Sequence, residues 1–298
     1  MISKEFIYEK VLPHIKDNAR MLEYYLIQSL FENKDEEIIE ALKSFQNEDG
    51  GFGNGLEPDV QMPDSSVLAT CVAIKALDFV REHSVKEQLV KDVVTYLEHT
   101  YDETNKRFHM VSKQVDQYPH AIWWNYTDLD KNFPFGNPDP EVIGFLFKHK
   151  KYMTKLNYSQ LINQVVTFVL SDKFLDASMH TLMSVLRFYK SVDDDVKNLI
   201  HDRIHLLVNK LLAHDKDNWD EYGLEPYKIY IIEPHFVNTH LEELGKNLTK
   251  VINQITSLNV MPNWNWFQYE EVFETVRHDW IGSMYFEMIR AMRMHRVI

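Results

Sequence analysis

Along nearly the whole chain, apolar residues recur at steps of three and four, the period of a helix that buries one face. Two-residue alternation, the mark of a half-buried strand, is not the governing pattern. The spacing predicts helices over 5–30, 35–45, 65–81, 86–99, 158–170, 178–191, 194–212, 240–258 and 279–292. No Gly/Ser-rich linker or low-complexity tract divides them, so residues 1–298 read as a single all-α domain.

The turns between these helices repeat. "GLEP" stands at 55–58 and again at 223–226, and "FGN" at 52–54 and 135–137. Asn54, Asn137 and Tyr222 then fall at even intervals of roughly 84 residues, with further turns midway near Arg107, Asp176 and Trp264. The helices after them also match. "DSSVLATCVAIKAL" (64–77) lies over "DASMHTLMSVLRFY" (176–189), with Asp64 and Asp176 placed as N-caps, and "EVIGF" (141–145) over "DWIGS" (279–283). Six helical hairpins of about 40–50 residues suit a closed (α/α)6 toroid. An open solenoid is the alternative, although long solenoids carry more uniform repeats and distinct end caps.

One turn stands apart. Four of the nine glycines in the chain lie within Gly50–Gly55, in "QNEDGGFGNGLEPDVQMPDSS" (46–66). Gly50 and Gly51 suit the left-handed conformation that ends a helix, Phe52 can pin the turn to the core, and Gln46 can bridge to a neighbouring helix. Residues 54–64 exceed what such a turn needs, and surplus loop is where function tends to sit.

Gln46, Asp49, Gly50, Gly51, Phe52 and Gly53, followed by Ser66, Ala69, Thr70, Ala73, Ala76 and Leu77, resemble the turn-plus-inner-helix repeat of the terpenoid cyclase and protein prenyltransferase superfamily. The resemblance covers about a tenth of the chain in detail. It implies an (α/α)6 barrel with a central cavity lined by inner helices and turn loops. The superfamily's chemistry does not follow. Zinc held by D-x-C would need Asp where Ala69 precedes Cys71, and no cation lies near 65–68 to grip a diphosphate. Asp193–Asp195 form neither D-x-D-D nor D-D-x-x-D, and they read as charge at a helix start. No metal and no cofactor is therefore expected. His201 and His205 share one helix face at metal-ligand spacing, but they lack the Glu of H-E-x-x-H and read as surface histidines.

Composition narrows the partners. A net charge of −13, a pI near 5.5 and no cluster of Lys or Arg argue against nucleic acid and anionic membrane. No apolar run approaches the roughly 18 residues of a membrane span, and the lone Cys71 suits a reducing compartment, so a cytoplasmic protein is expected.

The turns carry acids and aromatic rings instead. Glu57, Asp59 and Glu225 are the candidate catalytic acids, since Pro after each Glu of the repeat keeps it out of a helix interior. His278 and Asp279, placed by the periodicity at the start of the last helix, are a candidate base and its neighbour. Trp124, Tyr126, Asp139, Trp219, Tyr222 and Trp264 are candidate ligand contacts. Carboxylates beside aromatic faces suit sugars, which stack and undergo acid–base hydrolysis, or carbocations, which ring quadrupoles steady. The first expectation is an enzyme acting on a neutral or cationic small molecule in an acidic, aromatic cavity. A glycan-active hydrolase or lyase on the same barrel and a non-catalytic binding or scaffold protein are the alternatives.

Overall fold

The computed structural model describes residues 2–126, 135–214, 219–296 and 298. Helix dominates them. The first helical run, α1 (4–18), contains a π-turn at Ile7–Val11 and stops where Ala19 becomes extended, with φ −150° and ψ 179°. The chain resumes as α2 (Met21–Ser29), so the single helix expected over 5–30 is two. The break frees Arg20, whose guanidinium reaches the backbone carbonyls of Gly55 and Leu56 at 3.1 and 2.9 Å.

Then follow α3 (Asp35–Lys43), α4 (Val67–Leu77), α5 (Ser84–Thr100), α6 (Asp139–Lys148), α7 (Tyr158–Leu170), α8 (Met179–Ser191) and α9 (Asp194–His214). The last are α10 (Pro226–Tyr230), α11 (Leu241–Thr256) and α12 (Glu270–Met294). A two-stranded antiparallel hairpin, β1 (Tyr101–Asp102) against β2 (Arg107–Phe108), is the only sheet among the described residues.

Serines, not aspartates, cap the matched helices. Ser66 accepts the Ala69 N–H at 3.0 Å and Ser178 the Thr181 N–H at 3.4 Å. Asp176 instead pairs with Lys210 at 2.9 Å. The last helix begins at Glu270, because Phe273 and Val276 extend its buried face toward the N-terminus. His278 and Asp279 thus sit in its third turn rather than at its start.

Two kinds of helix result. In α7, α9 and α11 the buried residues follow one face, as in Leu244, Leu248, Val251 and Ile255. The sequence of α4, "VLATCVAIKAL", is apolar almost all round, and the helix is buried accordingly. Only Leu68, Val72 and Lys75, at i, i+4 and i+7, keep accessible surface, so α4 has one wet stripe. His180, Met183 and Arg187 on α8, and Trp280, Ser283 and Glu287 on α12, are also accessible, although these two helices expose further residues as well.

α6 packs along α8, and at Gly144 a Cβ would come within 2.9 Å of the Phe188 Cα. α12 packs on both α1 and α2, and a Cβ at Gly282 would meet Glu23 and Ala19 side chains at 2.8 and 2.9 Å. One large apolar cluster runs through these helices. Two smaller ones, around Val60, Met62 and Val115 and around Ala121, Trp266 and Phe273, underlie the loops at 57–62, 110–126 and 264–268.

Candidate functional site

The glycine-rich turn is a mounting for the loop that follows it. Gly50 takes φ +86° as expected, but Gly51 does not enter the left-handed region. Its hydrogen side chain is required by packing, since a Cβ would lie 2.6 Å from the Tyr96 ring and 2.7 Å from the Ser65 Cβ. Gln46 turns inward to donate to the Gly50 carbonyl at 3.3 Å instead of bridging to a neighbouring helix. Phe52 is fully buried, and its backbone bonds to the Thr70 hydroxyl and the Ser66 N–H tie the turn to the start of α4.

Residues 54–62 are then strapped from several directions. Asn54 and Gly55 have φ of +55° and +73°, Arg20 holds two carbonyls, and Gln61 N–H bonds Pro119 O at 2.9 Å. Ala121 N–H bonds Asp59 O at 3.0 Å. Glu57 and Asp59 are consequently both buried on a loop with little freedom.

Burial pushes the Glu57 carboxyl up to about 7, and the neighbouring Asp59 charge adds to the rise while Lys75 and Arg20 oppose it. Burial also raises Asp59, to about 6, against the hydrogen bonds of two indoles. Trp266 and Trp280 each donate Nε1–H to Asp59 Oδ1 at 2.7 Å. Trp264 turns its Nε1–H toward the same carboxylate without reaching hydrogen-bond geometry, and this buried N–H has no other partner. The donors favour Asp59 ionised, so Glu57 takes the pair's first proton as pH falls. A carboxyl that titrates near neutrality can both give and accept a proton.

Aromatic rings cluster beside the pair. Trp264 meets Trp280 edge-on at 5.2 Å and Tyr222 at 5.6 Å. The Tyr222 hydroxyl lies 2.9 Å from His180 Nε2. Tyr222 is 52 % exposed, yet loss of water from around its hydroxyl, with the Asp59 and Glu57 charges, raises it to about 12. His180 is also exposed, yet desolvation, joined by Lys228, Arg187 and Lys75, lowers it to about 4.

Asp279 lies in a neighbouring charged group. Burial raises it to about 6, with Arg20 and His278 opposing and Glu23 assisting. Arg20 is bound by Glu23 at 2.5 and 3.0 Å and also feels the Glu57 charge, so it links the two sets of acids. His278 is half-buried, and its Nδ1 has no hydrogen-bond partner.

The other candidates stand elsewhere. Glu225 accepts Asn247 Nδ2 at 2.8 Å and lies 3.8 Å from Lys228 Nζ, which ties α10 to α11. Asp139 accepts the N–H groups of Phe108 and Gly136 at 2.7 and 3.4 Å, joining the hairpin to the start of α6. Lys250 donates to the Trp219 carbonyl. Trp124 packs between the two small apolar clusters, and Tyr126 packs on the one containing Val60. Thus Glu57, Asp59, Tyr222 and Trp264 are brought together, and Glu225, Asp139 and Trp219 serve as ties between elements.

The periodicity passes over Trp266, Trp280, Lys75 and His180. Lys75 carried a signal, being the only charge in an otherwise apolar helix sequence. Cys71 is buried beside it in the core, where burial pushes the thiol well up. His201 is not merely a surface residue, for it stacks on His235 at 5.5 Å and bonds the Tyr189 hydroxyl at 3.2 Å. Among the described residues no group of three or more His, Cys, Asp or Glu is placed to hold a metal ion, and no helix is long and apolar enough to cross a membrane. Comparison with known proteins gives no matching family model, no matching curated protein and no matching solved structure.

Proposed function

We propose that this chain is an enzyme of terpenoid-cyclase or prenyltransferase ancestry that acts on a neutral or cationic small molecule by acid–base chemistry at Glu57 and Asp59. The observation that carries it is the pair itself: two buried carboxyls that titrate near neutrality, with Asp59 oriented by two indole N–H bonds. Keeping such a pair dehydrated opposes folding, and a group held at that cost is a candidate for chemistry. Glu57 is the proton donor and acceptor, and Asp59 is the fixed charge beside it. Trp264, Trp280 and Tyr222 present ring faces and edges to a developing positive charge.

We further infer that the helices close into an (α/α)6 toroid, with α4, α6, α8, α10 and α12 inside. The packing of α12 on α1 and α2, and the single accessible stripe of the otherwise buried α4, support this arrangement. Carbon-13 carboxyl NMR tests the chemical reading. Glu57 should titrate with a midpoint near 7, and both Glu57 and Asp59 titrating at ordinary carboxylate values would sink it. A thermal-shift screen of isoprenoid alcohols, sugars and amines, followed by mass spectrometry for products, then identifies the substrate class.

A further inference from the structure

The two loops that bond Asp59 turn large apolar side chains outward. Ile122 N–H bonds Trp266 O at 3.1 Å, and Gln268 Nε2 reaches His120 O at 2.8 Å and Asn125 Oδ1 at 3.1 Å. Segments 120–125 and 266–269 are thereby laced together. Along 266–269 the side chains alternate. Trp266 is fully buried with its Nε1–H on Asp59, and Gln268 is held by the facing loop, while Phe267 and Tyr269 stay 70 % and 46 % exposed. Ile122 and Trp123 are exposed beside them. Phe267 and Tyr269 also take φ of +61° and +49°, a left-handed backbone that bulky side chains resist, and Asn265 Oδ1 fixes the Phe267 N–H at 3.0 Å. Strain that holds aromatic rings in water marks a binding surface, since no burial within the chain offsets it.

We propose that Ile122, Trp123, Phe267 and Tyr269 dock a short, apolar and basic segment of a partner protein. Together the four side chains expose roughly 400 Å², taking about 150–250 Å² for a whole aromatic side chain. That is about half of the roughly 800 Å² per partner of a stable protein–protein interface, so a second copy of this chain would be poorly held and a single peptide segment suffices. Charge selects the occupant. Within 116–126 and 263–271 the charged groups are Asp116, Glu270 and Glu271, all exposed, and there is no Lys or Arg. A second copy would set these acids against themselves, and an anionic membrane would be repelled. A segment with Lys or Arg among its apolar side chains meets both the rings and the acids. Docking here holds whether or not Glu57 and Asp59 react.

Selection of short random peptides displayed on phage against the immobilised protein, followed by calorimetric titration of the enriched peptides, tests this. Enriched peptides should carry net positive charge among aromatic or aliphatic residues, and their binding should weaken as sodium chloride is raised. Phe267→Gly should bind them about tenfold or more weaker. Its melting temperature should be kept, because glycine accepts φ +61° without strain. Trp123→Ser should weaken binding likewise, and it serves if Phe267→Gly does not fold. Glu270→Gln combined with Glu271→Gln should lose the preference for cationic over neutral peptides. No enriched peptide, enrichment of acidic peptides, or undiminished binding by Phe267→Gly and Trp123→Ser overturns the proposal. A wild-type dimer in analytical ultracentrifugation that Phe267→Gly makes monomeric also overturns it, since the surface then belongs to a second copy. Flotation with phosphatidylcholine vesicles that Phe267→Gly abolishes overturns it in favour of a membrane.

Discussion

The two copies of "GLEP" reach opposite ends from the same four residues. At 223–226 the Glu is the residue before a helix, Pro226 is at its first turn, and Asn247 Nδ2 meets the carboxylate at 2.8 Å. At 55–58 the same letters enter a loop, where Val60 N–H bonds the Glu57 carbonyl and Asp59 follows two residues on. Glu225 is supplied with an amide donor and a nearby lysine. Glu57 is supplied with a second acid, whose effect outweighs the charge of either Lys75 or Arg20. The motif fixes only the backbone habit of Glu before Pro. The donors around each carboxylate, brought from elsewhere in the chain, decide whether it is a tie or a reactive group.

The comparison can be broken most severely at the frame of the first copy. Gly51 aligns with Trp219 of the second copy, and only the first requires a bare backbone there. Gly51→Val should cost about 3 kcal/mol or more in denaturant unfolding, because its branched side chain meets the Tyr96 ring and Ser65. A loss below about 1 kcal/mol would mean that the mounting is soft.

The second copy breaks at Asn247, which is fully buried and also accepts the Tyr227 N–H at 3.1 Å. Asn247→Ala strands a backbone donor and part of the Glu225 carboxylate, so a loss of about 2–3 kcal/mol is expected. Unchanged stability would show that Glu225 does not need its tie.

Glu57→Gln sharpens the contrast through its sign. The Glu57 carboxyl rises from 4.5 to about 7 on folding, so its favourable contribution is complete below pH 4.5 and is lost as pH rises through about 7. The Gln variant avoids that loss. It should match wild type near pH 4.5 and exceed it by about 3 kcal/mol at pH 8, as read from urea unfolding at both pH values. Equal destabilisation at both pH values would make Glu57 a structural bridge.

Glu225→Gln should change stability least, by about 0.5 kcal/mol, since Gln keeps an acceptor for Asn247 and loses only the ion pair with Lys228 at 3.8 Å. A gain at pH 8 like that expected for Glu57→Gln would erase the distinction between the copies.

What the sequence disclosed follows from how local each cause is. Periodicity placed most helices because amphipathic spacing is a property of neighbouring residues. It delayed the start of α12 to 279 because Phe273 and Val276 are a sparse signal among charges. Glu57, Asp59, Tyr222 and Trp264 stood out as acids and rings in turns. The donors that distinguish Asp59 did not, since Trp266 and Trp280 are 207 and 221 positions away in sequence. Asp139 and Glu225 read as site residues for the same reason. Nothing local shows that Phe108 or Asn247 will occupy a carboxylate.

The distance from Asp59 to Trp280 also sets a timetable. On the ribosome, 221 residues separate the two, about 10–40 s of synthesis at ordinary speeds. Until then the Asp59 loop can be built and even mounted on α4, but its carboxylate lacks both indole donors until Trp266 is made and one of them until Trp280 follows, and α12 is not yet there to cover it. A nascent chain therefore carries an ordinary hydrated acid where the finished one carries a tuned pair. The reactive character of the loop arrives late, with the helix that covers it.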